Sequence, residues 1–481
     1  LIDKIKLRWV YVVSILFILA NAYLVYKEYY WGFFIPVVAL VIILYIYSLD
    51  KVLFLIALVT PLSVLVVDSE FGVGLSLPSE PLLIGVLIVF LLREIYLHDF
   101  DKKMWKHPVS ILILINLAWM IITTFTSELP IISLKYILAR FWFVIPFYFI
   151  ISQLFKKKEN IHYFIWLYVV PLIGVIFYTV YNHSLWGFAE EPGHWVMTPF
   201  YNDHTAYGAI LAMYLPFTGG MVFNKSYSKT ARLFSFIAFI IVIIGLFLSY
   251  SRAAWISVAA AVVLMLLILL KIKFRTVLIA TAGLVTLFIM FQDQIFMKLE
   301  KNKQDSSSNI IEHIQSISNI SSDASNLERI NRWKSAFRMY HERPMYGWGP
   351  GTYQFLYAPF QNSQERTIIS TNAGDKGNAH SEYIGPLAES GFLGMISFLA
   401  FAIMALYTGI RLYTRSADKE IRLISLLLVM GLFTYLIHGF LNNFLDTDKA
   451  SVPFWGFVSA LIAIDLYHKK QKEEKSDQVV T

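Results

Sequence analysis

Apolar residues recur along the chain in long blocks separated by polar intervals. Runs able to form helices of about 20 residues, enough to cross ~30 Å of hydrocarbon, lie at 9–26, 32–48, 52–67, 80–97, 108–126, 135–154, 161–181, 204–223, 233–250, 253–270, 276–292, 389–410, 423–440 and 451–467. They predict an all-α polytopic membrane protein with about 14 transmembrane helices. The first run has no small-residue cleavage site and is expected to be a retained helix, not a signal peptide.

The polar intervals alternate in kind. Basic clusters such as Lys4, Lys6 and Arg8; Lys102, Lys103 and Lys106; Lys156, Lys157 and Lys158; and Arg411, Arg415, Lys419 and Arg422 mark one set, whereas 68–79, 127–134 and 182–203 contain no Lys or Arg. The bias of basic residues toward the inside puts the first set and both termini in the cytoplasm. One interval breaks the rhythm: 293–388 is far longer than ordinary helix connections. By parity it is a periplasmic loop, Ser/Asn-rich at its start and partly helical beyond. The expected organisation is therefore a membrane domain over 1–292 with about 11 spans, a periplasmic loop domain over 293–388, three further spans over 389–467, and a cytoplasmic tail at 468–481. No internal or inverted repeat is visible, which disfavours a secondary transporter.

Composition agrees with the pattern: 57% of the 481 residues are hydrophobic and only 15% are charged, which excludes a soluble enzyme. The net charge of +7 is dispersed between spans and signals topology, not nucleic-acid binding. The chain has no cysteine, so disulfides, thiolate metal sites and a cysteine nucleophile are all excluded.

Several polar residues stand where apolar ones are expected. Arg252 separates two apolar runs by only a few residues, and an arginine at such a depth is costly unless it snorkels or serves a site. Lys135 and Arg140 open a span beside a loop free of basic residues, as interface anchors or as part of a site. An amphipathic helix is predicted from near Asn326, with Arg329, Trp333, Ala336, Phe337 and Tyr340 on one stripe and Pro344 ending it. Gly347, Gly349 and Gly351 then form a turn. A helix beginning near Asn378 or Ser381 sets His380 at its amino end, where the helix dipole opposes protonation and leaves an imidazole able to act as a base; a plain cap is the other reading. Gly391 and Gly394 allow close packing of that helix on a neighbour. Asn202, Asp203 and His204, with Trp186 and Trp195, offer hydrogen-bonding groups and aromatic faces of the sort that hold sugars, or simply anchor the interface.

The residues His380-Ser381, nine more, then Gly391-Phe392-Leu393-Gly394 fit the pattern H-[NSQ]-x9-G-x-x-G. With "SRAAW", Arg329 four residues before Trp333, "RPMYGWGPGTYQF" and "FYNDHTAYGAILAMYLP", this part of the chain resembles the superfamily of O-antigen ligases, bacterial protein O-oligosaccharyltransferases and O-antigen polymerases. The resemblance spans roughly 127–467. It implies an inverting glycosyltransferase of a bacterial inner membrane, with a periplasmic active site, an undecaprenyl-pyrophosphate-type glycan donor, no metal ion and no cofactor. It further implies His380 as base or acceptor-orienting group and Arg252 and Arg329 as pyrophosphate contacts, with Lys135 and Arg140 as further donor contacts. Asn202, Asp203 and His204 become glycan or acceptor contacts, although Asp203 and His204 depart from the commoner Asn-Pro-Asn form.

Within the superfamily the acceptor decides the name: lipid A core gives a ligase, a protein hydroxyl an oligosaccharyltransferase, another lipid-linked glycan a polymerase. Only 14 residues follow the last span, with no separate soluble domain, and this favours the ligase. Two readings compete. Asp446-Thr447-Asp448 and Asp99-Phe100-Asp101 each form a D-x-D of the kind metal-dependent glycosyltransferases use. A lipid-glycan flippase would also want cations in a cavity, but it has no need of a histidine beside an arginine helix.

Overall fold

The computed structural model describes residues 2–68, 73–97, 101–272, 275–276, 324–363 and 377–468. Among these, eight helices are long and apolar enough to cross a membrane: Pro108–Phe125, Pro130–Leu154, Glu159–Ser184, Lys229–Leu248, Arg252–Leu269, Ile384–Arg415, Lys419–His438 and Asp448–His468. The protein is thus a mainly helical, multi-pass membrane protein.

The early part differs from the expected series of spans. Ile35–Tyr47 and Leu49–Val59 are helices of 13 and 11 residues, about 20 and 17 Å long at 1.5 Å per residue and short of a bilayer core. The run at 52–67 does not continue as helix. Pro61 and Ser63 end it, and the β-branched Val64–Asp68 pairs antiparallel with Val73–Leu77 in a two-stranded hairpin, Val64 opposite Leu77. The rigid χ1 of Val suits a pleated strand better than a helix. The expected span at 276–292 lies almost wholly outside the described residues.

The centre of the bundle is built by the two last long helices. In Lys419–His438 and Asp448–His468 the most apolar windows are 78% and 83% buried, against 28% and 17% for Lys229–Leu248 and Arg252–Leu269. The former pair is core, and the latter present Phe234, Ile237, Val263 and Leu266 outward. Small residues let the central helices close up: a Cβ on Gly456 would meet the Phe164 ring at 2.3 Å.

Charge sorts the two ends of the bundle. At one end Lys158 meets Glu420 at 2.6 Å, Lys156 meets Asp101 at 3.0 Å, and Arg411 meets Asp465 at 2.6 Å. The helix that starts at Lys419 beside Glu420 is 20 residues long and finishes at His438, about 30 Å away. The other end of the bundle therefore gathers His438, the start of the helix His204–Met221, the start of Arg252–Leu269 and the segment before Ile384.

An amphipathic helix, Ala324–Glu342, covers that end, close to the expected start at Asn326. Its buried face is Glu328, Ser335, Ala336 and Met339, which pack toward Trp348, Tyr353, Tyr357 and Ala388. Phe337, expected on this face, is 44% exposed, and the buried face instead carries Glu328 and Ser335, which the expected stripe did not include.

Candidate functional site

A break in the helix Ile384–Arg415 creates the seat of the site. Gly391 has φ +67° and ψ −170° inside that helix, the eighth residue from its start, a conformation open only to glycine without strain. The turn after Pro344 enters the break: Phe392 N–H donates to the Pro344 carbonyl (3.1 Å), Trp348 N–H to Ala388 (3.1 Å) and Gly349 N–H to Glu389 (2.7 Å). A Cβ on Gly391 would stand 2.1 Å from the Met345 carbonyl oxygen. The first glycine of the G-x-x-G pair thus bolts the end of the arginine helix onto a membrane helix. Gly394 sits one turn on, where its carbonyl accepts from Ser397 Oγ at 3.0 Å.

The segment ahead of this helix is where the sequence-based expectation needs correction. The helix begins at Ile384, so His380 is not at its amino end. Ser381 does the capping, its Oγ accepting from the amides of Tyr383 and Ile384, both at 3.3 Å. His380 is left-handed, with φ +46°, and its amide donates to Asn378 Oδ1 at 3.0 Å. Glu382, next but one, donates its amide to Gly439 O (2.8 Å), while its Oε1 accepts from Tyr435 Oη (2.6 Å), Phe444 N (2.8 Å) and Leu445 N (2.9 Å). Each residue of His-Ser-Glu therefore has its own task.

The left-handed turn sends the His380 ring to the arginine helix. Its Nε2 lies 2.9 Å from Arg332 Nη1; the same guanidinium donates to the Asn378 carbonyl (3.2 Å) and through Nε to Glu328 (3.0 Å). Trp333 Nε1 donates to the Ala379 carbonyl at 3.0 Å, tying the two segments together. A Cβ on Gly377 would be 2.5 Å from the Arg332 guanidinium carbon, so a side chain there would push the arginine away. Burial, then the positive charges of Arg332 and Arg329, push the His380 pKa down to about 4, against a smaller opposing pull from Asp203 and Glu328. The ring is uncharged, as expected, but from burial and arginines in place of a helix dipole.

Arg329, Asp203, His204 and His380 are thus brought into one electrostatic neighbourhood. Asp203 caps the helix His204–Met221, its Oδ1 accepting from Thr205 N (2.7 Å) and Ala206 N (2.8 Å). His204 stacks on His194 at 4.3 Å, and Trp186 meets Trp195 edge to face at 5.3 Å on the exposed loop. Asn202 is exposed. Arg252 opens the helix Arg252–Leu269: Tyr250, two residues before it, donates to Phe188 O in that loop (3.0 Å), and Ser251 and Ala254 pack against Gly208.

Two residues escaped the sequence reading. Arg332, the direct partner of His380, could have been found from its i,i+4 spacing to Glu328. His438 ends a core helix 1% exposed, and neither ring nitrogen has a hydrogen-bond partner among the described residues. Its neighbours in charge are Asp203, Arg329 and His204. No local pattern marks it.

Lys135 and Arg140 lie elsewhere. Lys135 lines a cavity of about 460 Å³ with Asn378, Ser381, Glu382, Asn443 and Asp446; His380 is not among the lining residues. Arg140 donates to the Leu445 carbonyl (3.1 Å) and Tyr136 Oη (2.9 Å). Asp446 is pushed up to about 6 by burial and by Glu382, with Arg140 opposing. Arg140 therefore offsets the charge of Asp446 on the far side of the Asn378–Glu382 segment, while Lys135 stands exposed at the cavity wall. The D-x-D at Asp446 and Asp448 does not present paired carboxylates: Asp448 is held by Ser63 and Ser79, with Lys449 gripping Ser63 Oγ at 2.8 Å. Among the described residues no group of three or more His, Asp or Glu is placed to hold a metal ion. Asp99 and Phe100, in the second D-x-D, lie outside those residues.

Residues 237–399 match the family model described as O-antigen ligase. The matched stretch contains Arg252, Arg329, His380, Gly391 and Gly394. No curated protein matches the chain.

Proposed function

We propose, from the premise of an O-antigen ligase domain, that the protein transfers a glycan with inversion from an undecaprenyl-pyrophosphate-type lipid to a hydroxyl of lipid A core oligosaccharide. The reaction takes place at the periplasmic face of the inner membrane, with both termini cytoplasmic and no metal ion. The observation that carries the reading is the uncharged His380 set against Arg332 and Arg329 at the end of the bundle opposite the basic loops. As the acceptor oxygen attacks the anomeric carbon, the bond to the diphosphate breaks and the lipid diphosphate departs with the electron pair. Preorganised guanidinium groups in a poorly hydrated site stabilise that charge. The acceptor proton passes to His380. Arg252 and Arg329 bind the diphosphate, while the cavity lined by Asn378, Asn443 and Asp446 suits sugar hydroxyls. Lys135 and Arg140 border that side, so their part is with the glycan and its acids more than with the diphosphate.

The test is transfer by detergent-solubilised protein from a lipid-diphosphate glycan to lipid A core, with and without chelator. Product in both cases is expected, falling by on the order of 10²–10³ in His380→Ala, with a raised KM for donor in Arg252→Ala and Arg329→Ala. Near-normal turnover by His380→Ala would refute its role. Glycan on protein alone would identify an oligosaccharyltransferase, and lipid movement across vesicles without product a flippase.

A further inference from the structure

We propose that Arg332 is a positioning residue that occupies the basic nitrogen of His380 until the diphosphate of a lipid-linked donor draws it away. The inference rests on the glycosyltransferase reading above. A guanidinium carries five N–H donors, no acceptor, and is always protonated. In its 2.9 Å contact with His380 the ring must therefore be the acceptor, with the Nε2 lone pair taken and the ring proton on Nδ1. A neutral imidazole has one such lone pair. While Arg332 holds it, no acceptor hydroxyl can give up a proton there.

The arginine is mounted to release it. Glu328 grips Nε at 3.0 Å, so the guanidinium is retained while its Nη1 edge exchanges the imidazole for an anionic oxygen. The charged groups facing His380 are Arg332, Arg329 and Glu328 from the arginine helix and Asp203 from the start of the adjoining helix. A diphosphate entering this set offers charge-assisted hydrogen bonds stronger than one to a neutral ring. It also places negative charge near His380, which makes the freed nitrogen more basic. Deprotonation of the acceptor is thereby tied to the presence of the leaving group, and the donor binds first.

The experiment follows the ring nitrogens of 15N-histidine-labelled full-length protein by NMR, with His380 identified by its loss in His380→Gln. Without ligand, His380 should be an Nδ1–H tautomer that stays neutral down to about pH 5. Undecaprenyl pyrophosphate should raise its midpoint by at least one pH unit, a tenfold change in proton affinity. Arg332→Gln should raise the midpoint without ligand and leave little further response. Because that change removes the ion pair of buried Glu328, the double variant Glu328→Gln/Arg332→Gln is run beside it, and Arg332→Lys should restore part of the gating. In transfer assays the acidic limb of kcat/KM, which reports free enzyme, should lie below that of kcat, and the two should merge in Arg332→Gln. An unchanged midpoint on adding undecaprenyl pyrophosphate, or coincident limbs in the wild type, overturns the gate even where transfer is seen. Absence of transfer to any acceptor overturns the glycosyltransferase reading instead, whatever the NMR midpoint does.

Discussion

Replacing Glu382 by alanine should unfasten the loop that carries Asn443 and Asp446, and the cost can be worked from three hydrogen bonds. One carboxylate oxygen accepts from Tyr435 Oη at 2.6 Å, Phe444 N at 2.8 Å and Leu445 N at 2.9 Å. Tyr435 and Leu445 are each 1% exposed, so water that replaces the lost acceptor has to come from the cavity that Glu382 lines. A buried donor left unsatisfied costs about 1–3 kcal/mol. Because the three converge on one atom and relax together, a total of about 4 kcal/mol is expected, less than the sum of independent losses. Glu382→Gln keeps an oxygen in place and loses only the charge assistance, for about 1–2 kcal/mol. Thermal unfolding of the two purified variants, followed by loss of the monodisperse peak in detergent, ranks them. Glu382→Gln should fall between wild type and Glu382→Ala. An alanine variant within 0.5 kcal/mol of wild type, roughly the scatter of neutral substitutions, would mean the clamp holds nothing.

Two further outcomes follow from the same region. Gly391→Ala should lower stability by more than the ~1–3 kcal/mol typical of a strained backbone, because the added carbon also meets the Met345 carbonyl; Gly394→Ala brings its added carbon to 2.5 Å from Ser390 Cβ, which the backbone fixes, but carries no positive-φ strain, and should be destabilising yet milder in the same unfolding assay. His380 makes the fold acid-sensitive: above pH ~6.5 the ring is neutral folded and unfolded, and as pH falls toward the folded value of about 4 only the unfolded chain gains a proton. Stability should drop by up to about 3 kcal/mol over that window, less where solvent screens the half-buried ring, and then level off; an unaltered pH slope in His380→Gln would count against this.

The membrane character and most later helices were legible because burial in lipid imposes long apolar runs, which local sequence displays directly. The expected span at 451–467 became Asp448–His468, and 161–181 became Glu159–Ser184. The run at 52–67 misled because hydropathy does not distinguish a helix from a β-hairpin of the same apolarity, and only Pro61, Ser63 and the valines that follow separate them. The site was half legible. The histidine, Arg329 and the glycine pair stand out against their surroundings, whereas the partner of His380 is a contact across 48 positions. Its formation needs the left-handed turn at His380, the space left by Gly377 and the helix break at Gly391, three features that become connected only in the folded chain.

That connection also explains why a single short motif carries so much. His380 reaches the arginine helix only if Ser381 starts the membrane helix three residues later and Glu382 anchors the turn from below. The arginine helix in turn is fixed by the backbone of 344–349 in the break at Gly391. The catalytic candidate is therefore held by the same helix at two places, the Ser381 cap and the break at Gly391, ten residues apart in sequence. A shift at Gly391 moves the platform on which Arg332 rests without touching His380 itself. Loss of activity in Gly391→Ala with an undisturbed Ser381 cap would then be read as a change in the His380–Arg332 distance, and the tautomer seen for that ring by 15N NMR is the measurement that decides it.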